Sequence, residues 1–146
     1  MQTFLPYESF KHSASVLDWK RLGKQRVEGM QIINAINQTE KQGWQSHTAT
    51  IMWTPYVETL KQYTNIMIEE WINRGYNNTM SLYKINTDKY EYPPWLGNEA
   101  FHSSHRANLL RQDYQYYSQF EWSEHPETTY VWLKHEGNSN PVKNCN

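Results

Sequence analysis

Apolar residues recur at helical spacing in three stretches of the chain. The first starts near Ser13 or Ser15, has Asp18 in its opening turn, and carries Leu17, Leu22, Val27, Met30, Ile33 and Ile36. That is the period of a helix with one buried face. Gly23 and Gly29 interrupt it. Each costs about 1 kcal/mol against alanine inside a helix, so close-packed neighbours over both positions are expected. The second stretch opens on Thr54 as cap and Pro55 at the first helical position, and Val57, Leu60, Thr64, Met67, Ile68 and Trp71 form a stripe ending before Gly75. A short helical turn over Thr48–Trp53 precedes it. The third follows the rigid turn Pro93-Pro94-Trp95-Leu96-Gly97, with Asn98 as cap, Glu99 at the positive helix end, and a helix running to about Tyr117. Residues 77–92 keep no period, the segment around Lys84 to Asp88 reads as linker-like, and no set of alternating strands emerges. The expected class is all-α: a single compact domain of about three main helices with long aromatic-rich loops over residues 1–136, then a polar C-terminal tail, 137–146.

Composition sharpens this picture. Seven Trp, eleven Tyr and four Phe stand in a chain of 146 residues whose mean hydropathy is only -0.92, so the apolar material is concentrated in large rings. Disordered chains are poor in such rings. No apolar run reaches the roughly 18 residues of a membrane span, and the start MQTFLPYESF lacks the features of a secretory leader. A single cysteine, Cys145, allows neither an internal disulfide nor a thiolate metal cluster. A soluble, cytoplasmic protein is the expectation. The formal charge of -1 withholds the global attraction that nonspecific duplex binders use, so any affinity for nucleic acid must come from a local patch.

Two constellations carry candidate chemistry. In LDWKRLGKQRVE, Arg21, Lys24 or Gln25, and Glu28 share one helix face, and Lys20, Arg21, Lys24 and Arg26 place four positive charges within seven residues. A phosphate held there would sit beside a carboxylate available for acid or base work. The same spacing also describes an ordinary exposed Lys24 to Glu28 pair. In FHSSHRANLLRQD, His102, His105 and Arg106 are neighbours on the third helix and suit an anion or a polarised leaving group, or else a structural role. As a metal site, HxxH gives two ligands, and His47 or His125 would have to supply a third. Neither a metal nor another cofactor is expected. Trp19, Trp44, Trp53, Tyr92, Trp95, Tyr130 and Trp132 lie near loops and helix ends; most belong to the core, and one or two could stack on a base. Gly-rich phosphate loops and a G-x-S-x-G elbow are absent, which argues against kinases, dinucleotide oxidoreductases and serine hydrolases.

At LDWKRLGKQRVE the chain resembles the pyrimidine-dimer DNA glycosylases of the phage endonuclease V type, whose similar LxDxHLxxExRE stretch ends in the catalytic glutamate. A gapless match sets that glutamate on Glu28. The likeness continues through TLKQYTNIMIEEWINRGYN, similar to a long helix closing on an R-G-aromatic-N turn, and into NEAFHSSHRANLL. A closer likeness is to a branch of small bacterial and phage proteins with TFLPY, KRLGKQRVE, PPWLG and FHxSHRxNLL. The resemblance implies a compact all-α fold that flips a nucleotide and attacks C1′ with the amine of an N-terminal threonine, cleaving the glycosidic bond through an imine. This chain departs from that pattern at its Met1-Gln2-Thr3 start, where bulky Gln2 opposes methionine removal, and at Val27 and Gln31, which stand where the family has arginines. The reading that results is an N-glycosidase of DNA repair type acting on a nucleotide substrate, first a damaged or modified base in DNA. Glu28 is its catalytic group, and Arg21, Lys24, His102, His105 and Arg106 bind substrate. The alternatives are a phage counter-defence protein that hydrolyses or sequesters a small signalling nucleotide, and a non-catalytic helical interaction module.

Overall fold

The computed structural model describes residues 2–38, 48–126, 130–133 and 141–144. Among the described residues six helices carry the fold: α1 (Phe10–Val16), α2 (Trp19–Asn37), α3 (Thr48–Trp53), α4 (Val57–Asn73), α5 (Glu99–Gln112) and α6 (Tyr114–Tyr117). Single 3-10 turns lie at Thr54–Tyr56, Thr87–Lys89 and Ser118–Phe120. The class is all-α as expected, with one addition: Tyr130–Leu133 and Pro141–Asn144 form an antiparallel two-stranded ribbon, and its first strand runs beside α5. Of the expected tail, residues 141–144 belong to that ribbon; the rest, with Cys145, His47 and Trp44, lies outside the described residues.

The helix expected from Ser13 or Ser15 onward is two helices. Asp18 is not in a first turn but is the N-cap of α2, its carboxylate accepting from the Arg21 main-chain N–H at 3.4 Å. An aspartate in extended backbone can satisfy a free helix-start donor, and so the chain breaks where the apolar period runs on. Asn98 caps α5 as read, accepting from Phe101 N–H. The helix expected to reach Tyr117 stops at Asp113, which caps α6 afresh by accepting from Tyr116 N–H. Thr54 does not cap; its hydroxyl donates back to the Thr50 carbonyl, and the chain passes through a 3-10 turn into α4.

α2 packs along α4, and the two interior glycines mark where the helices come close. A Cβ on Gly29 would collide with the Thr64 hydroxyl, and one on Gly23 would fall 2.8 Å from the Trp71 ring. The neighbours anticipated over both glycines are therefore these two side chains. Trp53 meets Trp95 edge to face at 4.9 Å between ring centroids and Phe101 lies tilted 5.1 Å beyond, packed with Leu22, Ile32, Leu60, Tyr63 and Met67.

Two extended stretches cross this helical body, and helix side chains pair with their main chain. Residues 2–6 are buried. Gln25 accepts from Phe4 N–H at 3.0 Å and donates to Gln2 O at 3.0 Å, and Tyr63 donates to Phe4 O at 2.8 Å. Asn65 does the same for Tyr83, accepting from its N–H and donating to its carbonyl, while Glu58 accepts from Asn86 N–H and Thr59 donates to Glu91 O. The aperiodic residues 77–92 thus follow buried polar groups of α4.

Gly29→Ala should lower stability by about 1–3 kcal/mol, the range for overpacking, because helix backbone and the Thr64 branch point leave no room. Gly23→Ala should cost less, since its clash is shallower, with the Trp71 ring edge 2.8 Å from the added carbon. Urea denaturation of both variants checks the order, and adding Thr64→Ala should recover most of the Gly29→Ala loss.

Candidate active site

Asp18 fixes the start of α2 and with it the direction of the helix. Its main-chain N–H donates to the Tyr117 hydroxyl at 3.1 Å, and that hydroxyl donates to the Asp18 carboxylate. Burial alone would raise the Asp18 carboxyl, but the Tyr117 hydroxyl and Arg21 outweigh it and hold it below the usual range; burial and Asp18 drive the Tyr117 phenol upward. From this anchor α2 presents Lys20, Arg21, Lys24 and Glu28 to a recess of about 340 Å³, completed by Gln2, Phe4 and Gln112. Three of the predicted residues, Arg21, Lys24 and Glu28, are therefore brought together.

Within the recess Arg21 is braced, donating from Nε to Gln112 Oε1 at 3.0 Å and from Nη1 to Asp18 at 3.2 Å. A rim arginine held this way keeps its fork pre-oriented. Lys24 is exposed one turn before Glu28. Gln25, only 1% exposed, donates to Glu28 Oε2 at 2.8 Å while holding residues 2–4, so the amide that seats the start of the chain also orients the carboxylate. Burial holds the Glu28 carboxyl above the usual carboxylate range, against the opposing pull of the chain's N-terminal ammonium, Lys24, the Gln2 main-chain N–H and the Gln25 amide. A carboxyl whose proton affinity moves toward neutrality is better matched to proton transfer at physiological pH. The Gln2 nitrogen touches Glu28; Thr3 is buried, and its hydroxyl accepts from Trp53 Nε1 at 3.0 Å.

His102, His105 and Arg106 do not reach this recess. They face the main chain of residues 5–6. Leu5 N–H donates to His105 Nδ1 at 2.9 Å, His102 Nδ1–H donates to Leu5 O at 2.8 Å, and Gly97 N–H donates to His102 Nε2 at 2.8 Å. These bonds require both rings neutral, and burial lowers the proton affinity of each, that of His105 strongly. Arg106 donates to Pro6 O at 2.7 Å and pairs with Glu99 and with Glu124 at 2.9 Å. Two carboxylates already balance its charge and would repel an incoming anion. The anion contacts expected on the third helix are thus a main-chain clamp, because the face they share looks inward. Among the described residues no group of three or more His, Cys, Asp or Glu side chains could hold a metal ion, and no helix is long and apolar enough to cross a membrane.

Gln2, Phe4 and Gln112 join the site without a sequence signal, each arriving from a distant part of the chain. Gln25 had one, its place on the Arg21 to Glu28 face.

The clamp gives a pH dependence with a definite sign. In the unfolded chain a histidine titrates near 6.5, and in the fold both clamp histidines titrate lower. The unfolded state binds more protons below that point, so their contribution to stability is whole above about pH 6.5 and declines as pH falls through it toward the folded values. Denaturation midpoints at steps from pH 8 to pH 5 should be level at first and then fall. A level midpoint throughout would contradict the neutral clamp.

The sequence profile of the family described as pyrimidine dimer DNA glycosylase matches residues 1–84, a span that holds Arg21, Lys24, Gln25 and Glu28 and stops short of α5. No curated protein and no solved structure matches the chain. With more than half of its length matched, the chain belongs to the pyrimidine dimer DNA glycosylase family.

Proposed function

We propose that the protein is an N-glycosidase that releases a damaged or modified base from DNA, with Glu28 as the catalytic group and Arg21 and Lys24 holding the flanking phosphate. The observation that supports it best is the half-buried Glu28 carboxyl, raised by burial and oriented by Gln25, in a recess rimmed by Lys20, Arg21 and Lys24. Family membership supplies DNA glycosylase-type function and DNA as the substrate class.

The Gln2 nitrogen that donates to Glu28 is an amide while Met1 is attached, its lone pair delocalised into the peptide bond, so it is no nucleophile. The chain's N-terminal ammonium also acts on Glu28 through its charge. In this reading water attacks C1′. The bond from C1′ to the base nitrogen breaks with both electrons leaving on the base, which takes a proton from solvent. The water oxygen bonds to C1′, and its proton passes to Glu28. The carboxylate also stabilises the positive charge that C1′ develops on the way. His102, His105 and Arg106 act in this reading only by seating residues 2–6.

Glu28→Gln should keep its denaturation midpoint and lose base release by about 10²-fold or more, measured as free base from DNA carrying ultraviolet, alkylation or deamination damage. Wild-type turnover should rise with pH through an apparent value above the ordinary 4.5 of a glutamate. The water route also predicts an abasic product with no borohydride-trapped protein adduct. A trapped adduct would move the attack to an amine, and base release from free nucleotides alone would move the substrate to the small-nucleotide class.

A further inference from the structure

The geometry points to a second contact surface beside the Glu28 recess: a ridge in which Trp71, covered by Arg26 and Tyr76, supports two exposed rings, Trp19 and Tyr76, that stack on the bases of an unpaired DNA strand, while Lys20 and Lys24 carry its phosphates toward the recess. It rests on the reading of that recess as a base-release site for DNA.

The order of residues around α2 lays this out. At 100° per residue, Trp19 and Gly23 fall within about 40° of each other, Lys20 and Lys24 follow at about 100–140°, and Glu28 and Arg21 at about 180–200°. Leu22, Gln25 and Gly29 occupy the remaining side, and all three are buried. The outward half of the helix therefore runs from ridge through lysines to recess. Trp19 stands one turn before Gly23, and Gly23 is where Trp71 lies on the helix.

The ridge is rigid and partly bare. Trp71 Nε1 donates to Asn77 O at 2.7 Å, the Arg26 guanidinium sits 4.3 Å from the Trp71 ring centroid and donates to Asn78 at 2.8 Å, and the Tyr76 ring lies 4.4 Å from that of Trp71. Gly75, at φ +89°, makes the turn that brings Tyr76 back onto Trp71. Trp19 is 53% exposed and Tyr76 is 40% exposed, and the Lys20 ammonium lies 5.7 Å from the Trp19 ring centroid. The fold gains little from a tryptophan left in water at the start of a helix.

Charge selects the occupant. Residues 19–27 hold Lys20, Arg21, Lys24 and Arg26 and no acidic residue, although the whole chain is at -1. Flat rings beside cations match a base joined to a phosphate. A paired strand offers its rings to its own neighbours and not to a protein side chain, and a duplex binder normally neutralises more phosphates than two lysines reach. An unpaired stretch offers both parts at once.

Titrating the intact protein with a short oligothymidylate, and with the same sequence as a matched duplex, tests this at two salt concentrations through tryptophan fluorescence or anisotropy. The single strand should bind more tightly than the duplex. Trp19→Ala should weaken single-strand binding roughly 5- to 100-fold with its salt slope unchanged, and Trp19→Phe should restore most of it. Lys20→Ala and Lys24→Ala should each reduce the slope by about 0.7. Trp19 packs in no core, so Trp19→Ala should melt as the wild type does. A preference for duplex, or Trp19→Ala binding as the wild type binds, would overturn the ridge. If base release proceeds while Trp19→Ala binds normally, the ridge fails and the Glu28 reading stands. Single-strand binding through Trp19 without base release from any damaged DNA would instead retire the Glu28 reading and leave the ridge.

Discussion

The structure depends on the burial of residues 2–6 in extended backbone among helices. Every buried main-chain group needs a partner, and one left unmet costs about 1–3 kcal/mol. Helices have spent their own main-chain groups, so side chains do this work. Gln25, Tyr63, His102, His105 and Arg106 come from α2, α4 and α5, and Ser13 from α1 both accepts from Tyr7 N–H and donates to its carbonyl. The segment is thus bound by four helices at once, and it ties them together as a disulfide or a strand would in another small domain.

This seating places the chemistry. Gln25 is shared between Phe4, Gln2, Tyr63 and Glu28. Its oxygen accepts from Phe4 N–H, so its nitrogen must point at Gln2 O and Glu28, and a flipped amide would set two N–H donors face to face. Glu28 is therefore oriented by the same network that closes the core. The positive groups divide in a corresponding way. Arg106 is inside, cancelled by Glu99 and Glu124, whereas Lys20 and Lys24 stay exposed at the recess. Near-neutral total charge and a strongly basic site are compatible because the compensation is spatial.

What the sequence made legible follows from the range of each signal. The stripe from Val57 to Trp71 is local, and α4 runs where the period says. Gly23 and Gly29 announced close neighbours without naming Trp71 and Thr64. The shared face of Arg21, Lys24 and Glu28 was visible, and so was that of His102, His105 and Arg106; but spacing shows that residues share a face, not whether it meets water or chain. That second question is decided for α5 by Leu5 and Pro6, about a hundred positions earlier. The break at Asp18 was hidden because Val16, Leu17 and Leu22 continue the apolar period across it, and an aspartate serves equally as cap or first-turn residue. The ribbon of Tyr130–Leu133 and Pro141–Asn144 is too short for alternation to register.

Because the clamp and the site share bonds, stability and activity are coupled in one direction. Removing the Glu28 carboxylate takes away a charge that burial already disfavours, and the fold loses little. Removing a clamp group leaves Leu5 or Phe4 main-chain atoms unpaired, loosens residues 2–6, and with them the Gln2 contact and the wall that Phe4 gives the recess. Protonating the clamp histidines in acid does the same without any substitution, since His105 Nδ1 must give up Leu5 N–H to take a proton. Acid therefore acts on the recess twice: it protonates Glu28 directly, and it withdraws the segment that buries Glu28 and raises its proton affinity. The second effect lowers that affinity again as the wall departs, so the carboxyl and the clamp do not titrate independently.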